Sequence, residues 1–229
     1  PSFNTISGSG PNSAIVHYRA IAGADRELAS DDLLLLDSGG HYRDGTTDIT
    51  RTIAIGTPPK GAVAAYSHVL QSHIHLAVAK FPEGTNGKQL DAIARAPLWA
   101  AGLDFAHGTG HGVGHVLSVH EGPASISKRG DVALEAGMVL SNEPGYYQTG
   151  DWGIRIENLI VVTPAKQAGF LEFETITLCP LDRRLIDKTL LDAGEIDWID
   201  RYHRAVYEQL HPHLSPMAKS WLEAACRPL

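Results

Sequence analysis

The sequence predicts a single α+β domain over residues 1–229, and three observations lead to this prediction. Strand-like stretches separated by turn residues share the chain with stretches of helical periodicity. The 43% hydrophobic content is enough for one globular core. No tandem repeat, low-complexity tract or linker rich in proline, glycine and serine divides the chain. We therefore expect a centre of antiparallel strands with helices around it.

Two β-hairpins are predicted, one in each half of the chain. Residues 31–56, DDLLLLDSGGHYRDGTTDITRTIAIG, contain an apolar run, a group of turn formers and then an alternation of threonine, isoleucine and arginine. Residues 137–164 contain two apolar strand patterns separated by the turn-forming stretch QTGDWG. The stretch LEFETITL at 171–178 adds a further strand.

Helices are predicted where apolar residues recur at helical spacing. The predicted segments are 58–80, 88–101, 189–210 and 215–227. Gly102 would end the second helix, and Pro97 would kink it. The last helix has Ser215 as its N-cap and Pro216 at its first helical position.

Composition and charge exclude several classes of protein. The net charge of -7 and the absence of a run of basic residues argue against a nucleic-acid partner. No apolar stretch approaches the length of about 18 residues that a membrane span needs, and no leader pattern is present. The two cysteines, Cys179 and Cys226, fit neither a zinc ribbon nor a disulfide framework. We therefore expect a cytoplasmic protein with neither nucleic-acid nor membrane partners.

The most unusual stretch of the chain is the glycine-rich segment 107–123, HGTGHGVGHVLSVHEGP. A dinucleotide-binding GxGxxG pattern fails, because Val113 or His115 stands where its last glycine would be. A zinc-binding HExxH helix fails too, because Ala124 stands where its second histidine would be. The function of this segment therefore depends on residues elsewhere in the chain.

Carboxylates beside turn residues provide those partners. Glu143 and Glu157 lie symmetrically about Gly150, so a turn near that glycine would place them opposite each other, about 5 Å apart at their Cβ atoms. Asp37 ends a run of four leucines, where an uncompensated charge would cost several kcal/mol. Asp48 lies at the start of the returning strand of the same hairpin. Each of these carboxylates calls for a nearby cation.

The charges of this set suit two divalent metal ions. The candidate ligands are four carboxylates and one imidazole: Asp37, Asp48, His111, Glu143 and Glu157. Oxygen-rich ligation with a single histidine favours Mn²⁺, with Zn²⁺ and Co²⁺ as alternatives. Two such ions would lower the pKa of a bridging water, so the predicted reaction class is hydrolysis.

The chain resembles the pita-bread metallopeptidases, and among them the Xaa-Pro aminopeptidases. The motifs that carry the resemblance follow in order: SGPNSAIVHY, LLLLDSGGHYRDGTTDITRT, HGTGHGVGHVLSVHEGP, SNEPGYY and GIRIEN. The resemblance implies two α/β halves around a curved antiparallel sheet. It also implies that the substrates are peptides with proline in second position, cleaved by a hydroxide that bridges two metal ions.

The resemblance assigns roles to the same five residues. It implies that Asp37 binds one metal ion, that His111 and Glu143 bind the other, and that Asp48 and Glu157 bridge both. Glu143 would also carry the proton from the attacking water to the proline nitrogen.

Further pocket residues are implied by the resemblance alone. His17 and His107 would position the proline and the backbone around it. His120 would donate a hydrogen bond to the oxygen of the tetrahedral intermediate. Tyr147 would form part of the pocket wall, and Arg155 would lie behind the metal ligands.

Other functions remain open at this point. A prolidase or a methionine aminopeptidase would share the ligand set, although the glycine-rich segment and the long C-terminal tail weigh against both. A metal-free peptide-binding protein of the same fold is the non-enzymatic alternative. Relatives with these motifs carry further N-terminal domains that close the site and support dimerisation. We therefore expect residues 1–229 to correspond to the catalytic domain of these relatives, whose longer form can dimerise.

Overall fold

The computed structural model describes residues 1–23, 25–116 and 118–229 and has the predicted α+β architecture. The strands are β1 (Ile6–Ser9), β2 (Asp31–Ser38), β3 (His41–Tyr42), β4 (Gly45–Thr46), β5 (Ile49–Gly56), β6 (Lys80–Pro82), β7 (Gly110–His111), β8 (Ser125–Ile126), β9 (Val139–Asn142), β10 (Gly145–Gln148), β11 (Trp152–Arg155), β12 (Asn158–Pro164) and β13 (Phe170–Thr175). The helices are α1 (Ala62–Ala77), α2 (Gly87–Ala100), α3 (Ala193–Leu210) and α4 (Pro216–Ala225). The named strands pair in antiparallel fashion, as predicted.

The first predicted hairpin is confirmed and forms one sheet in the order β1-β2-β5. Leu33 and Leu35 are 0% and 1% exposed, because alternate residues of β2 point into the core. The turn region folds into a small ribbon of β3 and β4. Asp37 pairs with Thr50 next to the last residue pair of β2 and β5, and Asp48 immediately precedes β5.

The second predicted hairpin is confirmed in register but is divided into two parts. β10 pairs with β11, and β9 pairs with β12 in the sheet ordered β6-β13-β12-β9. Gly145 opposite Arg155 and Asn142 opposite Asn158 belong to one continuous register. Each predicted long strand is broken between these pairs, because Pro144 has no N–H to donate to a ladder.

The break places two glutamates between the sheets. The backbone N–H of Glu143 donates to Thr109 O at 2.8 Å, and that of Glu157 donates to Thr50 O at 3.1 Å. Both residues therefore leave the ladder that joins β9 to β12 and bond to other parts of the chain. Their position symmetrically about Gly150 makes them neighbours at this crossing point.

The first two helices are shorter than, or shifted from, their predicted ranges. α1 begins at Ala62 rather than Pro58, because Gly61 takes a left-handed conformation with φ of 83°. It ends at Ala77, and Lys80 belongs to β6 rather than to the helix. Hydrogen bonds between Asn86 and Gln89 form a capping box that starts α2 one residue earlier than predicted.

The C-terminal helices pack on the same body. The predicted start at Thr189 is wrong, because Asp192 and Glu195 form a capping box that begins α3 at Ala193. α4 begins at Pro216 with Ser215 as its N-cap, as predicted. No helix in the described residues has the length and apolar character that crossing a membrane requires.

The core places α1 at the centre of the fold. Buried residues of α1, α3 and β11 form one apolar cluster, which includes Tyr66, Leu70, Ile74, Ile154, Trp198 and Ile199. A second cluster lies beneath the sheet of β6, β13, β12 and β9. The strand break that carries the two glutamates lies between Ile156 of the first cluster and Leu140 and Ile160 of the second.

Candidate metal centre

Five side chains from different elements converge at the strand break. Ligand atoms of Asp37, Asp48 and Glu157 lie within 4.8 Å of one another, and so do those of His111, Glu143 and Glu157. Asp37 is the second-last residue of β2, Asp48 precedes β5 and His111 belongs to β7. The structure thus brings the predicted ligand set together in two overlapping groups that share Glu157.

The Nε2 nitrogen of His111 faces two carboxylates. Its Nδ1 lies 2.9 Å from Gly112 O and must donate, because a carbonyl oxygen can only accept. Its Nε2 therefore remains for Glu143 Oε1, 3.2 Å away, and Asp48 Oδ2, 3.5 Å away. Three electron-rich atoms this close repel one another unless a proton or a metal ion lies between them.

The pKa of His111 reflects the same arrangement. Burial alone would lower it, but hydrogen bonds to Asp48 and Glu143 outweigh burial and raise the pKa to about 11. Without a metal ion, a proton is held where the carboxylates require positive charge. The same hydrogen bond from His111 lowers the pKa of Glu143 against the opposing effect of burial.

The other carboxylates are buried without enough positive charge. Burial raises the pKa of Glu157 well above its usual value, and the charges of Glu143 and Asp48 raise it further. Burial raises the pKa of Asp37 to about 6, although Arg155 opposes this increase. Asp37 Oδ1 is buried and has no hydrogen-bond partner among the described residues. A buried, unpartnered carboxylate oxygen in a group of hard donors fits a divalent cation.

Two hydroxyl groups orient the glutamates. Thr50 Oγ1 donates to Glu157 Oε2 at 2.7 Å, and Ser141 Oγ donates to Glu143 Oε1 at 3.0 Å. Ser141 Oγ also accepts from the backbone N–H of His111 at 3.0 Å. The sequence analysis missed both hydroxyls, but each lies two residues from a predicted ligand, on the same face of an extended strand.

His107 is held by groups on both of its nitrogens. Its Nδ1 donates to Gly108 O at 2.7 Å, so its Nε2 accepts from the Tyr147 hydroxyl at 2.8 Å. Arg155 Nη1 donates to the same hydroxyl at 2.8 Å, and Arg155 Nη2 donates to Asp37 Oδ2 at 2.6 Å. Arg155 thus connects a predicted metal ligand with a predicted substrate residue. The sequence analysis placed Tyr147 in the pocket wall, but the residues that line the cavity include His107 and not Tyr147, whose hydroxyl bonds to the His107 ring.

His17 and His120 are exposed and line the cavity. The ring of His120 meets that of His111 edge-on, with centroids 4.2 Å apart. Burial and the neighbouring His111 lower the pKa of His120. A ligand atom of His120 also lies within 4.8 Å of those of Asp48 and His111. His115, which the sequence analysis did not assign as a ligand, belongs to none of the candidate groups in the described residues.

A cavity of about 600 Å³ opens above the candidate ligands. The predicted ligands and the three pocket histidines all line it. Apolar residues that the sequence analysis did not identify complete the wall: Phe3, Ile6, Val16 and Val119. The cavity therefore joins a charged floor to a partly apolar wall, which suits an amphipathic ligand such as a short peptide.

A buried arginine on α2 holds the segment that carries His107. Arg95, 1% exposed, donates to Phe105 O and His107 O, both at 2.7 Å. It also pairs with Asp91 at 2.8 Å, and Asp91 accepts from Thr109 Oγ1 at 2.6 Å. Arg95 and Asp91 lie 16 and 20 residues before His111 in the sequence, and no motif marks them.

The antiparallel fold and the paired ligand groups define the class of pita-bread metallopeptidases. The chain belongs to metallopeptidase family M24: the family model matches residues 1–164, and a model of the C-terminal region of peptidase M24 matches residues 169–229. The predicted pita-bread fold is thereby confirmed.

Curated relatives match the whole chain. A probable Xaa-Pro aminopeptidase P of Laccaria bicolor is 46% identical over 100% of this chain and 37% of the relative. Aminopeptidase P1 of Lotus japonicus is 48% identical over 100% of this chain and 36% of its own length. The chain thus spans somewhat over a third of the length of these relatives.

Solved structures of related peptidases are also similar to this chain. An X-prolyl aminopeptidase from Caenorhabditis elegans, described as a cytosolic enzyme with a di-nuclear active site, is 45% identical with a TM-score of 0.94. The match covers 99% of this chain and 38% of that structure. Prolidase from Pyrococcus furiosus is 34% identical with a TM-score of 0.67, and the match covers 76% of this chain and 49% of that chain.

Proposed function

We propose that this chain hydrolyses the N-terminal Xaa-Pro bond of peptides with the help of two divalent metal ions. The observation that carries the proposal is the convergence of two overlapping ligand groups on Glu157 at the base of the cavity. The high similarity to the X-prolyl aminopeptidase from Caenorhabditis elegans supports the substrate class. Residues 1–229 act in this proposal as one catalytic domain.

The ligand groups suggest how the ions would be shared. Asp37 would bind one ion, and His111 and Glu143 the other. Asp48 and Glu157 would bind both, because Glu157 belongs to both groups and Asp48 lies near Asp37 as well as near His111. The oxygen-rich donor set favours Mn²⁺. When bound, the ions would supply a hydroxide between them and polarise the carbonyl oxygen of the scissile bond.

Glu143 is the proposed proton carrier. Its Oε1 already accepts from Ser141 Oγ, so its second carboxylate oxygen is the one that takes the proton of the attacking water. Transfer of this proton to the proline nitrogen completes the cleavage, because that nitrogen must be protonated to leave as an amine.

The histidine side of the cavity binds the peptide in this proposal. His120 lies beside His111 and donates where negative charge develops on the carbonyl oxygen. His17 lines the outer wall and helps to position the proline. His107 uses both nitrogens within the protein, so it contacts the proline through its ring and holds Tyr147 in place. Shape selects the proline ring, because the Xaa-Pro amide has no N–H to recognise.

The proposal also covers the partners and the location of the protein. Peptides with proline in second position are the proposed partners, and the net charge of -7 disfavours nucleic acid and anionic membrane surfaces. The related Caenorhabditis elegans enzyme is described as cytosolic, which supports a cytoplasmic location. We also propose that the longer form of the protein can dimerise.

Turnover of matched peptides tests the proposed substrate class. With Mn²⁺ supplied, an Ala-Pro-Ala tripeptide should be cleaved faster than an Ala-Pro dipeptide and far faster than a Met-Ala-Ala tripeptide. Glu143→Gln is the control, and it should lower every rate. A preference for Met-Ala-Ala would overturn the assignment, and so would the absence of any cleavage by metal-loaded protein.

A prolidase is the second candidate. Prolidases and dipeptidases among the solved structures share 33–37% identity with this chain and TM-scores of 0.66 to 0.69. If the Ala-Pro dipeptide is the preferred substrate, this second candidate replaces the first. A protein that binds peptides but no metal would support the non-enzymatic alternative.

A further inference from the structure

Arg51 lies in the interior of the protein directly behind the candidate metal centre. It belongs to β5, next to Thr50, and is 6% exposed. A buried guanidinium must find an acceptor for each of its N–H groups, because an unpaired buried charge is costly. Its acceptors come from two separate parts of the chain.

One set of acceptors surrounds a predicted metal ligand. Arg51 Nη1 donates to Glu157 O at 2.7 Å and to Thr50 O at 2.9 Å. Arg51 Nη2 donates to Asn158 Oδ1 at 2.7 Å. Glu157 lies at the strand break, just before the residues of β12 that pair with β9. Its carbonyl oxygen therefore accepts from Arg51 instead of from a neighbouring strand.

The other set belongs to the C-terminal region, residues 169–229. Arg51 Nη2 donates to Cys179 O at 2.8 Å and to the Tyr202 hydroxyl at 2.9 Å, and Arg51 Nε donates to Pro180 O at 3.1 Å. Tyr202 stacks on Trp198 of the same helix, with ring centroids 5.2 Å apart and planes 5° apart. The C-terminal region thus binds the guanidinium of Arg51 from the side opposite the metal ligands.

We propose that the C-terminal region holds Glu157 in its ligand position through Arg51 and Tyr202, which makes Arg51 a positioning residue for the metal site. This inference rests on the proposed function only in taking Glu157 as a metal ligand. Thr50 is the direct contact, because its hydroxyl holds Glu157 Oε2 and its carbonyl oxygen accepts from both Glu157 N–H and Arg51. A shift of Arg51 therefore moves both the backbone and the carboxylate of Glu157.

A second arginine of the same chain shows what to expect if the contact of Arg51 is purely structural. Arg184 also joins the C-terminal region to β5, and its Nη2 donates to Ala54 O at 2.7 Å. Ala54 lies on the same strand as Arg51 but does not adjoin a predicted ligand. If the C-terminal region serves only to stabilise the fold, substitutions of Arg51 and Arg184 should leave metal binding equally unchanged.

The test uses Arg51→Lys, Tyr202→Phe and the control Arg184→Lys in the full chain. A lysine keeps the charge at position 51 but cannot reach acceptors on both sides, since its ammonium is a single point. Tyr202→Phe removes the hydroxyl that accepts from Arg51 and also contacts Thr177 O and Cys179 O, and the stacking on Trp198 remains. Mn²⁺ binding is measured by titration, with the spin-resonance signal of free Mn²⁺ as the readout.

We expect Arg51→Lys to weaken Mn²⁺ binding about 10- to 100-fold, the usual effect of removing a group that orients a ligand. Tyr202→Phe should weaken it about tenfold, at the lower end of the same range. Arg184→Lys should bind Mn²⁺ within about twofold of the wild type, since its contact orients no ligand. Thermal unfolding of the metal-free variants shows how much each loses in stability alone.

The inference is overturned if Arg51→Lys and Tyr202→Phe bind Mn²⁺ as the wild type does, or if Arg184→Lys weakens binding equally. Should Arg51→Lys fail to fold, Tyr202→Phe alone decides. These outcomes are independent of catalysis. A wild-type protein that binds Mn²⁺ but cleaves no peptide would refute the proposed function and leave this inference intact.

Discussion

The two sides of the cavity hold their functional groups in different ways. On the carboxylate side, Asp37, Asp48 and Glu157 are at most 7% exposed and lie on or next to strands. On the histidine side, His17 and His120 are exposed and lie outside the helices and strands. Sheet register therefore positions the metal ligands, whereas irregular segments position the groups that would meet the peptide.

This difference suggests that the carboxylate side binds the metal ions and the histidine side binds the peptide. A metal centre needs donor atoms held to within a fraction of an ångström, which strands provide. Peptide binding tolerates adjustment, and loops on a rigid scaffold commonly carry it. Changes on the carboxylate side should therefore abolish metal binding, whereas changes on the histidine side should slow catalysis and leave metal binding intact.

Glu157→Gln should have the largest effect. It removes a charge from both ligand groups, so Mn²⁺ binding should be lost and activity should fall by more than about 10³-fold, beyond the usual loss for one hydrogen-bond donor. Isothermal calorimetry and peptide turnover measure both effects.

In the metal-free protein, we expect Glu157→Gln to be favourable, because it should raise the stability of the fold. Without metal, the buried Glu157 is repelled by Glu143, Asp48 and Asp37. Neutralising it should raise the stability by about 1 to 3 kcal/mol, which is a melting temperature higher by about 2–4 °C per kcal/mol. A lower melting temperature for metal-free Glu157→Gln would contradict the idea that this site needs a cation.

His120→Ala should have the next largest effect. Loss of the proposed donor should lower kcat by about 10²- to 10³-fold, and Mn²⁺ binding should stay within about twofold of the wild type. His115→Ala, on the same segment and also exposed, is the control and should change neither quantity. If His120→Ala loses Mn²⁺, then His120 is a metal ligand, as its distance from Asp48 and His111 would allow.

Tyr147→Phe should have a smaller effect. The hydroxyl links Arg155 to His107 across the boundary between the two sides. Of the two hydrogen bonds lost, the one to His107 affects the peptide site; its loss costs about 1 kcal/mol, so kcat/KM for an Ala-Pro-Ala peptide should fall about fivefold. The fall should come mainly from KM, because His107 contacts the peptide rather than the ions. An unchanged kcat/KM would show that His107 needs no support from Tyr147.

The smallest effect on activity is expected at a histidine outside both sides. His203 is fully buried, accepts from Leu181 N–H at 3.1 Å, and has a pKa lowered to about 4 by burial and by Arg183. Below pH 6.5 this histidine binds a proton in the unfolded chain, whereas in the folded protein it stays neutral down to about pH 4. The contribution of His203 to the free energy of unfolding is therefore complete above pH 6.5 and is lost as the pH falls toward 4.

His203→Gln tests this pH dependence, because the glutamine oxygen can still accept from Leu181. Between pH 7 and pH 5, the wild type should lose about 1 to 2 kcal/mol more stability than the variant. Urea unfolding at the two pH values measures the difference. Parallel losses in both proteins would mean that His203 does not resist protonation in the fold.

The fold and the ligand set could be predicted because their signals are local or symmetrical. The leucine run before Asp37 marks a strand end, and the spacing of Glu143 and Glu157 about Gly150 predicts their register. Hydrophobic periodicity located the helices, but their ends were less accurate. The predicted start of α3 overlooked the capping box of Asp192 and Glu195, which is visible in the sequence.

The contacts of Thr50 and Arg51 around Glu157 could not be predicted, because their partners are distant in sequence. Thr50 and Glu157 are 107 residues apart, and Arg51 and Tyr202 are 151 residues apart. No periodicity or spacing joins such pairs, so only the folded chain shows them. The substrate-side histidines were identified through family resemblance, since charge alone gives an exposed histidine no role.

The central claim is that Asp37, Asp48, His111, Glu143 and Glu157 together hold two divalent ions. An anomalous-scattering map from crystals grown with Mn²⁺ tests it most directly, because it gives the number, element and position of the ions. The account predicts two Mn²⁺ peaks about 3.5 Å apart with Glu157 touching both. A single peak, no peak, or peaks away from these five side chains would contradict it.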